Sequence, residues 1–249
     1  MVTIEKIDCL QGMRNLKDDS INLIITSPPY NVGKEKHNPI FYNSYIDSKS
    51  LRKYLLFLQE RFCEAYRILT PDGRIAVNIG AKKNGRQPLN YFVMKMMEIT
   101  GFKVFAQIIW SKGNTSRNSA FGSYLSPSCP SFITTFEYIL VFYKKSAKLL
   151  SEYHKTKNSD LTKEEFVKGA RSLWEFPGKK HEIHPAAFPL ELPLRLIKML
   201  TYPGDMVLDP FAGIGTVGDA CKLLNRDFLG FEIDSTYVKY ARKKYLKKY

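Results

Sequence analysis

The chain is predicted to fold as an α/β protein with a doubly wound, mostly parallel sheet and one small inserted region. Three observations carry that expectation. Short apolar runs alternate with stretches of helical period, the pattern of strands crossing over through helices. The runs are rich in β-branched residues and bounded by turn formers, as strands buried on both faces are. The length of 249 residues suits one large domain with a modest insertion, at about 150 residues per domain.

In chain order the expected strands are Thr3 to Ile7 (TIEKI), Ile21 to Thr26 (INLIIT), Arg74 to Ile79 (RIAVNI), Val104 to Trp110 (VFAQIIW), Tyr138 to Tyr143 (YILVFY), Met206 to Leu208 (MVL) and Phe228 to Phe231 (FLGF). Helical period runs from Leu51 to Leu69, where Leu51, Tyr54, Leu55, Leu58, Phe62, Ala65 and Leu69 recur at three- and four-residue steps and Pro71-Asp72-Gly73 ends the run. Leu192 to Leu200 and Thr216 to Leu224 are shorter helices, and Tyr237 to Tyr249 is compatible with one. Two stretches break the alternation. Asn31 to Lys49 is polar and aromatic without period and follows a strand end, where open α/β sheets bind ligands, so a mobile active-site loop is expected there. Lys144 to Lys180 is lysine-rich with two aromatic anchors, Trp174 and Phe176, and is the candidate inserted recognition region. The expected division is therefore 1–143, 144–180 and 181–249.

Composition narrows the partner. With 38 Lys+Arg against 24 Asp+Glu, the formal net charge is +14, which points to a polyanion, because neutralising phosphates releases counterions and supplies sequence-independent affinity. The hydrophobic share of 44% and charged share of 25% are those of a globular protein and exclude a disordered, collagen-like or purely coiled-coil chain. No apolar run reaches the roughly 18 to 20 residues that span a bilayer, and the start lacks a secretory layout, so a cytoplasmic location with no membrane partner is expected. Cys9, Cys63, Cys129 and Cys221 are scattered singly, without zinc-ligand spacing. Reduced, mostly buried thiols and no metal site are expected.

Two stretches carry chemistry. Thr26-Ser27-Pro28-Pro29-Tyr30-Asn31 closes the second strand. Consecutive prolines fix two φ angles and remove two donors, which makes a rigid turn with outward carbonyls. The Ser27 hydroxyl and the Pro28 carbonyl then offer acceptors for an exocyclic amino group, and Tyr30 offers a face on which a planar base stacks. The second stretch is Val207-Leu208-Asp209-Pro210-Phe211-Ala212-Gly213-Ile214-Gly215-Thr216-Val217-Gly218. Gly213 and Gly215 permit a tight turn and close approach of a ligand to the backbone at a helix N-terminus. An acid, Glu232, follows about 20 residues on at a strand tip, where it can accept from ribose hydroxyls. A nucleoside-bearing cofactor suits that surface.

TSPPY followed by DPFAGIGT resembles the S-adenosylmethionine-dependent amino-methyltransferases of DNA, in the permuted subgroup called the β class. Asp8-Cys9, Trp110-Ser111-Lys112 and His184-Pro185-Ala186-Ala187-Phe188-Pro189 are supporting matches. The resemblance covers most of the chain. It implies a Rossmann-like methyltransferase sheet that is circularly permuted: Asp205 to Asp234 supplies its first two strands, Thr3 to Asp8 its third and Ile21 to Tyr30 its fourth. It implies Ser27, Pro28, Pro29 and Tyr30 as catalytic residues. Asp8, Cys9, Thr26, Asp209, Pro210, Phe211, Gly213, Gly215, Thr216 and Glu232 are implied as the S-adenosylmethionine site, with His184 and Phe188 beside it.

The substrate implied is double-stranded DNA, with the target base rotated out of the duplex. Ser before Pro-Pro is more similar to cytosine-N4 enzymes, whereas Asp is more similar to adenine-N6 enzymes, so N4 of cytosine is the expected target and N6 of adenine the alternative. A nucleic-acid-binding protein that kept the fold but lost turnover is the alternative of another class, and methylation of RNA or of a protein glutamine fits less well. A cognate restriction endonuclease and a homodimer are the further partners implied. Trp110 reads as core. Lys112, Arg117, Lys179, Lys180 and the closing cations from Lys239 to Lys248 read as a solvated or phosphate-facing surface. Replacing Ser27 by Ala is expected to lower kcat more than it lowers cofactor affinity; equal kcat in the two proteins removes Ser27 from the chemistry.

Overall fold

The computed structural model describes residues 1–31, 50–80, 87–113, 122–132, 134–149, 157–179, 181–184 and 187–246. Its elements are β1 (Val2–Lys6), α1 (Cys9–Arg14), β2 (Ile21–Thr26), α2 (Leu51–Ile68), β3 (Leu69–Ile79), α3 (Leu89–Thr100), β4 (Lys103–Ser111), β5 (Phe136–Tyr143), α4 (Lys163–Gly169), β6 (Leu173–Glu175), α5 (Glu191–Leu200), β7 (Met206–Asp209), α6 (Thr216–Leu223), β8 (Asp227–Glu232) and α7 (Ser235–Tyr245). The strands form one sheet in the order β1-β8-β7-β2-β3-β5-β4-β6. All neighbours are parallel except at β5, which runs antiparallel to both β3 and β4. The strands β7, β8, β1 and β2 therefore lie side by side in the permuted arrangement expected, although β7 and β8 come last along the chain.

Side-chain alternation divides the core between the two faces of this sheet. Ile24 and Leu208 point to one face with Phe62, Val93 and Met97, where α1, α2 and α3 pack. Leu23, Ile25 and Val207 point to the other with Leu196, Val217 and Val238, where α5, α6 and α7 pack. Burial on both faces is why these strands read as continuous apolar runs rather than alternating ones.

Local chemistry sets the element ends. The Ser50 side chain caps α2 by accepting from Lys53 N at 3.3 Å. The helix stops at Ile68 and runs directly into β3, whose Pro71-Asp72-Gly73 is absorbed as a register irregularity between the Ile21–Leu69 and Leu23–Arg74 pairs. The α3 helix is an addition to the expected set: Leu89, Val93, Met96 and Met97 make its buried stripe, and Gly101 closes it at φ 108°. Cys9 and Cys221 are buried, whereas Cys63 and Cys129 are exposed, so two of the four thiols depart from the mostly buried set expected. No described helix is long and apolar enough to cross a membrane, and no described cluster of His, Cys, Asp and Glu is arranged to hold a metal ion.

The described part of 144–180 is sewn into the body rather than standing apart from it. The β6 strand extends the sheet beyond β4, and Trp174 is 1% exposed within the second core face. Trp110, buried as expected, stacks on Phe176 at 5.3 Å and donates from Nε1 to the Phe176 carbonyl at 2.9 Å. Both aromatic anchors thus serve packing. Ahead of α4, Asp160 pairs with Arg226, whose side chain is fully buried and also donates to the Thr201 carbonyl at 2.8 Å. Removing the partner of a buried guanidinium costs about 3 kcal/mol. Asp160→Ala is therefore expected to lower the unfolding free energy by about that much in denaturant titration, and an unchanged midpoint contradicts this account of how the segment is anchored.

Candidate active site

The sheet reverses its winding between β7 and β2, since β8 and β1 follow on one side of β7 while β3 follows β2 on the other. Such a switch point opens a crevice at the carboxyl ends of the strands. Both chemical stretches end there. Thr26, the last residue of β2, donates from Oγ1 to Asp209 Oδ1 at 3.0 Å, a buried bond between residues 183 apart in sequence. The same carboxylate oxygen accepts from Phe211 N at 3.0 Å and so closes the Asp-Pro-Phe turn. Burial pushes the Asp209 carboxyl up to about 7 against the opposing effect of these two donors, and Glu232 reinforces the rise.

The glycine turn is built for close approach. Gly213 and Gly215 sit in the left-handed region, at φ 51° and 78°. A Cβ at Gly213 would stand 3.2 Å from His184 Nε2, and one at Gly215 or Gly218 would strike the Tyr245 hydroxyl. That hydroxyl donates to the Gly215 carbonyl at 3.0 Å, so the last helix buttresses the turn from behind. Thr216 then opens α6. Glu232 accepts from Gly213 N at 2.8 Å through Oε2 and from Asp234 N at 2.8 Å through Oε1. Each oxygen keeps a lone pair for a further donor. Burial lifts Glu232 above the usual carboxylate range despite these backbone bonds.

Around this turn the remaining expected residues take up defined positions. Asp8 caps α1 by accepting from Leu10 N at 2.9 Å and pairs with Arg61 at 3.2 Å. Arg61 in turn lies over the Phe57 ring, and Phe57 faces the half-buried Phe211 at 6.3 Å. Beside Asp8, burial pushes the Cys9 thiol up to about 12, so it stays protonated. His184 packs its ring 4.8 Å from Tyr237, and burial lowers it to about 4, which leaves a neutral imidazole next to Gly213. Phe188 packs on the second core face, and Pro210 is buried. Pro185 and Ala186 lie outside the described residues, as do Arg117, Lys180 and all of the expected 31–49 loop except Asn31.

At the other wall, Ser27 and Pro29 are half-buried and Pro28 buried, and Asn31 leaves the turn at φ 56°. The Tyr30 hydroxyl gathers four polar neighbours. Ser27 Oγ lies 3.2 Å from it, Asn78 Nδ2 3.0 Å, Glu137 Oε2 3.1 Å and the Asn78 carbonyl 3.4 Å. Glu137 also accepts from Asn78 Nδ2 at 2.8 Å and pairs with Lys112. Glu137 and Asn78 escaped the sequence reading, because each lies within a strand-like run and neither spacing nor a turn marks it. The connection from β4 to β5 rises from this same edge and exposes Tyr124, Leu125 and Phe132, at 76%, 91% and 81%. Of the closing cations, Arg242 is tied to the Ile4 carbonyl and Lys244 to Asp219, whereas Lys239 and Lys243 face solvent.

A family model described as DNA methylase, for N6 and N4 methyltransferases, matches residues 21–243. The type II methyltransferase M.MjaVI of Methanocaldococcus jannaschii is 41% identical over 167 residues, covering 66% of this chain and 81% of that protein. M.MjaI of the same organism is 33% identical over 257 residues, covering 90% of this chain and 84% of its own. Among solved structures, TTHA0409 of Thermus thermophilus, crystallised in complex with S-adenosyl-L-methionine, superposes with a TM-score of 0.76 at 29% identity, over 98% of this chain and 93% of that one.

An acid held above its ordinary value binds its proton more tightly in the folded state than in the unfolded chain, so its contribution to stability is full below about pH 4 and is lost as pH rises toward about 7. Asp209→Asn cannot titrate. The unfolding free energy of the variant relative to wild type is therefore expected to rise between pH 4 and pH 7 in denaturant titrations, and a constant difference across that window contradicts the burial argument.

Proposed function

The chain belongs to the DNA methylase family, and on that premise we propose that it moves a methyl group from S-adenosylmethionine to the exocyclic N4 amine of a cytosine at a specific site in double-stranded DNA. The observation that carries this reading is the Thr26–Asp209 bond, which joins the Ser-Pro-Pro-Tyr turn to the glycine turn at one crevice. The residues there fit the donor. Glu232 retains lone pairs for ribose hydroxyls, Phe211 offers a half-buried ring, and Gly213 lets a ligand reach the backbone beside the neutral His184. When bound, S-adenosylmethionine supplies an electrophilic sulfonium methyl.

The chain's own task is to make a poor nucleophile attack. The lone pair of an exocyclic amine is conjugated into its ring, and two acceptors on its N–H bonds localise that pair on nitrogen. Ser27 and the Pro28 carbonyl are the proposed acceptors, held by the rigid Pro-Pro turn, and the carbonyl also stabilises the positive charge that develops. Tyr30, fixed by its hydroxyl, stacks on the rotated base. No covalent enzyme intermediate is required.

Cytosine N4 is preferred because residue 27 is a hydroxyl side chain and not a carboxylate. Engagement of DNA draws on the net charge of +14, on the exposed side chains of Tyr124, Leu125 and Phe132 beside the crevice, and on the 144–180 region as the site reader. The type II relatives support a role in restriction-modification, with an endonuclease cutting the same site as partner; a homodimer belongs to the same reading. Incubation of the purified chain with S-adenosylmethionine and DNA, followed by digestion and mass spectrometry, is expected to yield N4-methylcytosine in one sequence context. N6-methyladenine alone transfers the reading to the adenine branch of the family, and no methylated base rejects the activity.

A further inference from the structure

We propose that Glu137 is a positioning residue that turns Ser27 into a hydrogen-bond acceptor and then receives the proton the substrate amine must lose, an inference that rests on the amino-methyltransferase reading above. The directions of the hydrogen bonds lead there. A carboxylate only accepts. Glu137, whose side chain is 16% exposed, has its Oε1 occupied by Lys112 and its Oε2 turned toward Asn78 Nδ2 at 2.8 Å and the Tyr30 hydroxyl at 3.1 Å. The Asn78 amide cannot be reversed, because its oxygen would then oppose Oε2.

Tyr30 has one hydroxyl proton. Asn78 Nδ2 already donates to its oxygen at 3.0 Å, and the charged Glu137 acceptor is both nearer and stronger than the Asn78 carbonyl at 3.4 Å. The Tyr30 proton therefore points at Glu137. Ser27, 3.2 Å from Tyr30, must then be the donor between the two hydroxyls. Its own proton is committed to Tyr30, and its lone pairs are left for the amine.

The same chain conducts a proton outward. Once the amine nitrogen carries its methyl group, its N–H bond breaks and the electron pair stays on nitrogen. The proton bonds to Ser27 Oγ as the Ser27 proton passes to Tyr30 Oη and the Tyr30 proton passes to Glu137 Oε2. Each hydroxyl gains one O–H bond and loses one. Glu137 ends as a neutral acid and the methylated base ends neutral. Burial, reinforced by Glu137, holds the Tyr30 phenol well above its usual range, so Tyr30 passes the proton on instead of retaining a negative charge.

Glu137→Gln tests the directions. Lys112 keeps the Gln carbonyl oxygen on its own side, so the amide NH2 faces Tyr30 and Asn78, and the variant has neither the charged acceptor that orders the Tyr30 proton nor a base for the proton the amine loses. Single-turnover methyl transfer is expected to slow about 10²-fold with the S-adenosylmethionine Kd from calorimetry unchanged. In a Tyr30→Phe background, where the connecting hydroxyl is gone, the same substitution is expected to cost less than about 3-fold. A side chain that merely fills space would cost the same in both backgrounds, and that result, or a Glu137→Gln rate within about 3-fold of wild type, overturns the proposal. Should Glu137→Gln lose cofactor binding through misfolding, Tyr30→Phe alone decides: it is expected to slow transfer about 10-fold at unchanged cofactor affinity, and no slowing overturns the proposal. A wild-type chain that methylates no base removes the underlying reading as well, whereas active wild type with an indifferent Glu137→Gln removes this inference alone.

Discussion

The hydrogen bond from Thr26 to Asp209 is the constraint around which the crevice is organised. It is buried, so breaking it would strand a carboxyl in a low-dielectric interior, where an unpaired polar group is costly. It also ties the end of β2 to the end of β7 at the point where the sheet reverses its winding. Everything downstream inherits its position from that tie: the Pro-Pro turn continues from Thr26 on one side, and the Phe211 amide folds back onto the same oxygen on the other. The elevated proton affinity of Asp209 has the same origin, since the site excludes water to hold two backbones in register.

Much of this was legible in the residues themselves. The strand runs announced themselves because burial on both faces selects continuous β-branched sequence, and the glycine turn because left-handed backbone at 213 and 215 admits little else. What escaped did so for physical reasons. Leu173 to Glu175 is three residues long, too short to show a period, and its place in the sheet comes from Trp174 entering a core face assembled elsewhere. The lysines around it make the 144–180 stretch read as a recognition insertion, and its described part is fastened to the body by Asp160, Trp174 and Phe176. Asn78 reaches Tyr30 through the parallel pairing of β2 with β3, Thr26 opposite Val77, and Glu137 through the antiparallel pairing of β3 with β5, Asn78 opposite Ile139. No local pattern encodes a contact between residues 107 positions apart.

The two walls of the crevice solve opposite problems. On the glycine side, side chains are withheld: Tyr245 fills the notch behind residues 215 and 218 and leaves the backbone of the turn uncovered by any Cβ. On the Pro-Pro side, backbone freedom is withheld, and a polar network fixes where one tyrosine ring stands. Rigidity in both walls is the common requirement, because a methyl transfer without a covalent intermediate has only geometry and electrostatics to lower its barrier.

The sheet seam between β1 and β8 has a consequence for biosynthesis. The β1 edge strand leaves the ribosome before every other strand of this sheet, yet the neighbour it pairs with, from Val2 against Phe228 to Lys6 against Glu232, is the last of them to emerge. The nascent polypeptide must therefore keep an unpaired strand waiting while the rest of the sheet is made, the situation in which chaperone shelter matters most. Because Asp8 and Glu232 flank that seam, the crevice at the carboxyl ends of the strands is completed only after the last of those strands has been translated.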